Sequence, residues 1–168
     1  MSVGTLISVE EYLNTSYSPD KEYRDGVLVE RNVGDKAHSW LQLALGAYFY
    51  RRRKQWNIFI YTELRVKVRE KWYPLPDVCV YQPDFEGRYP SRPPLLWIEI
   101  LSHDDRMVDV WNKAKELIEN GVPHVWIINP NTLESELRTA AGVTQITDGI
   151  LRLPDSPIVV PLLEVVEE

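Results

Sequence analysis

Leu95-Leu96-Trp97-Ile98-Glu99-Ile100-Leu101 is apolar on both faces of an extended strand except at one position, Glu99. A strand of that kind belongs in the middle of a sheet covered on both sides, which commits the chain to a layered α/β architecture. A carboxylate inside such a run must be paired, protonated or bound to a metal, because an isolated buried charge is costly. A second strand-like run, Asp77-Val78-Cys79-Val80-Tyr81, opens on an acid. Two such carboxylates on adjacent strands make a hard-oxygen site suited to Mg²⁺ or Mn²⁺. Lys113, on the helix expected after Glu99, supplies positive charge to it.

The surrounding elements follow from spacing. Asp104 or Asp105 can cap a helix running to Asn120, with Gly121 just past its end. Asp109 and Lys113 are four apart and share a face of it. His124 to Ile128 reads as another buried strand, so strand–helix–strand implies a parallel crossover. Upstream, Ser8 and Glu11 have capping-box spacing for a short helix to about Leu13. Asp25-Gly26 between strand-like pieces signals a hairpin turn. Trp40, Leu41, Leu43, Ala44, Leu45, Ala47, Tyr48 and Phe49 describe a long helix from Lys36 to Lys54, ending on four positive charges. Strands are expected at Ile58 to Thr62, Leu64 to Val68 and Tyr73 to Tyr81, the last with Pro74 and Pro76 keeping its start out of mid-sheet. Weaker strands follow at residues 134–138, 143–146 and 150–153. The length suits one domain over residues 1–168.

A net charge of −6 and a pI near 5.2 weigh against a non-specific nucleic-acid binder, whose affinity comes from neutralising phosphates. A single cysteine, Cys79, cannot form an internal disulfide and excludes a Cys-rich zinc site. Met1 to Thr5 lacks the basic and apolar regions of a leader peptide, and no apolar run is long enough for a membrane span. The expectation is a soluble, cytoplasmic protein with no membrane partner. Glu22, in the first strand region, and His38, in the first turn of the long helix, can each reach a shared cleft. Plainer roles stand beside these: Lys113 can pair with Asp109 on the helix surface, and His38 can be a packing residue. The basic stretch Arg51 to Lys54 suits a solvated helix end better than a phosphate clamp.

The order Ser8-Val9-Glu10-Glu11-Tyr12-Leu13, Lys21-Glu22-Tyr23-Arg24-Asp25-Gly26-Val27, His38, Pro76-Asp77-Val78, Ile98-Glu99-Ile100-Leu101-Ser102, Asp109 with Lys113, and Gly121-Val122-Pro123 before Trp126-Ile127 resembles a known family. It is similar to the restriction-endonuclease family abundant in cyanobacteria, within the PD-(D/E)XK nuclease superfamily, over nearly the whole length. The resemblance implies an α/β fold with a central mixed β-sheet flanked by helices, a restriction-endonuclease-like core. It also implies a divalent metal on Asp77 and Glu99, and phosphodiester hydrolysis of nucleic acid, DNA first, by a homodimer. The superfamily motif would put lysine at position 101, where this chain has Leu101; the resemblance places it at Lys113. Leu117, His124, Asn129 and His103 also depart from the family pattern. In that mechanism the metal binds Asp77, one Glu99 oxygen and the main-chain carbonyl of Ile100. Lys113 stabilises the nucleophile or the developing charge, Glu22 completes the metal shell or holds a second ion, and His38 orients a phosphate or water. Two other readings stay open: a catalytically inactive binding or dimerisation module, and hydrolysis of a non-nucleic phosphodiester.

Overall fold

The computed structural model describes residues 5–168. Residues 1–4, on which the absence of a leader peptide was mainly read, lie outside the described residues. A short helix α1 (Val9–Leu13) is capped by Ser8, whose Oγ accepts the Glu11 N–H at 3.0 Å, as the capping box predicts. Strands β1 (Glu22–Arg24) and β2 (Val27–Val29) pair antiparallel around Asp25 and Gly26, which both take positive φ as a tight two-residue hairpin requires. The long helix α2 (Lys36–Trp56) starts on Asp35, whose side chain accepts the His38 N–H at 3.0 Å. It buries Leu41, Leu45, Tyr48 and Phe49, while Trp40 and Leu43 point outward.

The main sheet has six strands in the order β3-β5-β6-β7-β8-β9. They are β3 (Phe59–Thr62), β5 (Val78–Tyr81), β6 (Leu96–Ile100), β7 (Val125–Ile128), β8 (Ser135–Thr139) and β9 (Gly142–Ile146). All neighbours are antiparallel except β6 and β7, which are parallel and joined through helix α3 (Met107–Glu119). The sheet is therefore mixed, with β6 central. Leu96, Ile98 and Ile100 face α2, and Trp97 faces the opposite core with Ala114 and Leu117 of α3. Strict alternation then directs Glu99 to the α3 side. A smaller sheet, β2-β1-β4, uses β4 (Trp72–Tyr73), and β10 (Ile150–Arg152) pairs with β11 (Val159–Pro161) before helix α4 (Leu162–Glu167). Among the described residues no helix is long and apolar enough to cross a membrane.

Three expectations change. Leu64 to Val68 forms no strand: Glu63 takes φ 50°, and the segment turns off the sheet to place Arg65 inward. Tyr73 to Tyr81 is split into β4 and β5, in different sheets, because Pro74 and Pro76 have no N–H to offer a ladder. Neither Asp104 nor Asp105 caps α3, which begins after Arg106 without a side-chain cap. Asp105 is drawn away by two other donors, the Ser102 N–H and Asn32 Nδ2, both at 2.7 Å. Strand β11 and helix α4 carried no clear signal in the sequence.

Candidate active site

Where β5 begins, the sheet leaves a gap that the site occupies. Pairing of Val78 with Ile98 puts Asp77 opposite Glu99, one step further along both strands. Pro76 stands opposite Ile100, and its carbonyl accepts from Glu63 N–H instead of continuing the ladder. The Ile100 N–H is taken by Asp77 Oδ2 at 2.7 Å. Asp77 thus closes the sheet end with one oxygen and turns the other, Oδ1, into the cleft. Oδ1 lies 3.3 Å from Arg31 Nη2 and 3.2 Å from His38 Nε2.

Glu99 Oε1 accepts from Trp97 Nε1 at 2.8 Å and lies 2.9 Å from Lys113 Nζ. Lys113 also donates to Glu22 Oε1 at 2.9 Å, and that oxygen accepts the Leu75 N–H at 3.0 Å. Asp77, Glu99, Lys113, Glu22, His38 and Ile100 all line one cleft of about 180 Å³. That volume is below the roughly 300 Å³ at which organic ligand sites begin, and suits an ion, waters and a phosphate. Asp109 is not drawn in: it is exposed and stands 4.0 Å from Arg106. His103 is exposed beside Asp104, and His124 Nδ1 lies against the Leu95 carbonyl, away from the cleft.

Electrostatics explain how these charges tolerate one another. Burial raises the Glu99 carboxyl above the usual range and the nearby Asp77 adds to this, while Lys113 acts the other way. Burial works against the Lys113 ammonium, but attraction to Glu22 and Glu99 outweighs it and holds its pKa above normal. Burial sets the direction for Glu99, and the two acids that share Lys113 set the direction for the lysine. The hydrogen bond to Asp77 raises the His38 pKa, against the pull of burial. Among the described residues, no three of His, Cys, Asp and Glu are already grouped as a cation site, since the acids turn toward these bases. The donor set still fits a hard divalent ion: five carboxylates, Glu22, Glu30, Asp77, Glu99 and Asp105, line the cleft against two permanent cations, Arg31 and Lys113, and leave it formally negative.

Two supporting residues escaped the sequence. Arg31 follows β2 in a loop that nothing in Glu30-Arg31-Asn32-Val33-Gly34 marks as part of a site. Gly34 passes over His38 so closely that a Cβ would sit 2.5 Å from the ring Nδ1. Gly34→Ala is therefore expected to push His38 off Asp77 and bring its pKa, followed by imidazole NMR titration, down toward the ordinary value. The sign for stability follows. A raised folded pKa gives stability that is complete below the unfolded value of about 6.5 and is lost as pH rises through the folded value. With chelator present, the deficit of Gly34→Ala in urea unfolding should be largest below about pH 6 and shrink above that window. A deficit equal at all pH would mean that the alanine costs only space.

Comparison with known proteins places these observations. No curated protein matches the chain. A crystal structure described as that of a putative nuclease belonging to DUF820, from Anabaena variabilis, matches with a TM-score of 0.77 and 20% sequence identity. The match covers 96% of this chain and 98% of that one, and at such identity it is a likeness of fold. The family model named Uma2, described as “Putative restriction endonuclease”, matches residues 9–166. Over that span, with a mixed sheet flanked by helices, the chain belongs to the Uma2 family.

Proposed function

We propose that the chain is a divalent-metal-dependent phosphodiester hydrolase, a nuclease acting on DNA. The observation that carries this is the meeting of Asp77, Glu99, Glu22 and Lys113 in one small polar cleft at the end of the central strands. Asp77, Glu99 and the Ile100 carbonyl would hold Mg²⁺ or Mn²⁺, with Glu22 completing the set. A bound ion there supplies Lewis-acid polarisation of a phosphoryl oxygen and acidifies water. Hydrolysis adds water across a P–O ester bond, and negative charge grows on the phosphoryl oxygens as it does so. Lys113 answers that charge: an ammonium held above its normal pKa is a fixed positive group, not a base. His38, fixed by Asp77 and pressed by Gly34, orients a phosphate or a water. A homodimer is part of the same reading, supported by the exposed Trp40, Leu43 and Tyr50 on α2; sedimentation giving monomer alone at high concentration would remove it. So is a cytoplasmic setting, which suits a lone buried cysteine.

The test is calorimetric titration of Mn²⁺ into wild type, Asp77→Ala and Glu99→Ala. Stoichiometric binding in the wild type and its loss in both variants is expected. A second reading, a catalytically inactive module, is favoured by one fact: Asp77 and Glu99 already have partners within the chain. Absence of Mn²⁺ binding, even with DNA present, would select it.

A further inference from the structure

Arg31 touches three acids and holds none of them tightly. Its Nη2 is 3.3 Å from Asp77 Oδ1, its Nη1 is 3.4 Å from Glu63 Oε1, and its Nε is 4.0 Å from Glu22 Oε1. Charge-assisted bonds in proteins normally close to about 2.7–2.9 Å. Lys113 reaches that range with both its partners, and Arg65 goes closer with Asp20. Arg31 is spread among acids instead of fastened to one.

Its loop is suited to movement. Residues 30–34 between β2 and α2 have no regular structure, and 32–34 are exposed. Asn32 ties the loop across the cleft mouth by a single hydrogen bond to Asp105. The guanidinium thus stands on the rim, pointing inward, on the oxygen of Asp77 that the sheet leaves free. A planar fork of donors is the geometry that phosphate oxygens accept.

Charge balance gives the occupant. Glu22, Asp77, Glu99, Glu30 and Asp105 line the cleft and Glu63 adjoins Arg31, so the acids outnumber the two permanent cations, Arg31 and Lys113. A phosphate anion is repelled by that excess until a divalent ion offsets it, so Arg31 has a phosphate to hold only once the ion is bound. We propose that Arg31 is the residue that holds the substrate phosphate, and that in the free protein it is parked on Asp77 and Glu22 in competition with the divalent ion. This rests on the metal-dependent reading of the cleft. On arrival of ion and phosphate, Arg31 exchanges carboxylate partners for phosphate oxygens, without leaving the rim.

Two affinities moving in opposite directions test it. Mn²⁺ is titrated calorimetrically into wild type, Arg31→Gln, Arg31→Lys and Asp77→Ala. Binding of a short fluorescent DNA duplex, and of RNA of the same sequence, is measured in Ca²⁺. Arg31→Gln should bind Mn²⁺ about tenfold more tightly, since the competing charge is gone. It should bind the nucleic acid about tenfold more weakly, through loss of a charged hydrogen bond. Arg31→Lys keeps the charge and should stay near the wild type for Mn²⁺, which shows that loss of charge, not damage to the fold, drives the change. Either shift missing in Arg31→Gln overturns the proposal while the metal site stands, provided that Asp77→Ala still abolishes Mn²⁺ binding. A wild type that binds neither nucleic acid also overturns it. Mn²⁺ binding that survives in Asp77→Ala removes the metal reading and this proposal together.

Discussion

Lys113→Met is expected to lower phosphodiester cleavage by about 10²–10⁴-fold while leaving the Mn²⁺ site able to bind. The methionine keeps most of the side chain's length and its apolar stem near the Trp97 ring, so what is removed is chiefly the charge. In the metal-free protein Nζ bridges Glu22 and Glu99; without it Glu99 has no cation beside it and Glu22 keeps only Arg31, 4.0 Å away. Breaking a largely buried pair on one side leaves uncompensated charge, here about 3 kcal/mol after allowance for the partly exposed lysine. Mn²⁺ should restore part of that loss, because a ligand bound only by the folded state stabilises it. Metal affinity should therefore hold or rise while turnover falls. Plasmid nicking in Mn²⁺, run beside calorimetry and thermal melting in chelator, measures all three quantities. Cleavage near the wild-type rate would reduce Lys113 to a structural partner of Glu22. Lys113→Arg should rescue stability better than rate, since its wide fork cannot place one point charge between the two acids.

The parts of this site that were legible in the sequence are those where a residue contradicts its surroundings. Glu99 stands out because every neighbour in β6 is apolar, and Asp77 because it opens a β-branched run; the strand register then makes them neighbours. Asp25-Gly26 and Ser8 with Glu11 were readable because turns and caps are chosen by local chemistry. Arg31 was not readable, since its role depends on where a loop folds back across the sheet end, a long-range fact without a local signature. Asp105 misled for the opposite reason: its local spacing suits a cap, but Asn32 and the Ser102 N–H compete for its oxygens. Lys113 lay between the two cases. Its helix was predictable, but the choice of Glu22 and Glu99 over Asp109 as partners is made by packing of α3 on the sheet.

Leu64 to Val68 shows how tertiary contacts can override a strand pattern, and it carries the largest stability prediction. The alternation is real: Val66 and Val68 are buried. Arg65 is buried too, and no apolar layer receives it. It crosses into the N-terminal layer, where Nη1 donates to the Tyr12 carbonyl at 2.6 Å and Nη2 to the Thr15 carbonyl at 3.0 Å. Nε and Nη2 clasp Asp20 at 3.0 and 2.6 Å, and the guanidinium lies 4.1 Å from the Tyr12 ring centroid. One side chain thus fastens α1 and the loop after it to the segment that leads into β4. Those elements pack around Tyr12, Tyr23 and Tyr73, and Tyr23 follows directly on Glu22 in β1. Arg65→Met would leave the Thr15 carbonyl without this donor and reduce the Tyr12 carbonyl and Asp20 to the Thr15 and Lys21 N–H groups, a loss of about 3–5 kcal/mol. For a chain of this size that is a fall in melting temperature of roughly 6–20 °C, read by circular dichroism in chelator. Arg65→Lys should recover only part of it, since one ammonium cannot span all three acceptors. Because Glu22 hangs from this layer, the variant should also bind Mn²⁺ less well at temperatures where the rest of the sheet is folded. A melting temperature unchanged in Arg65→Met would show that the N-terminal layer is held by its tyrosines alone.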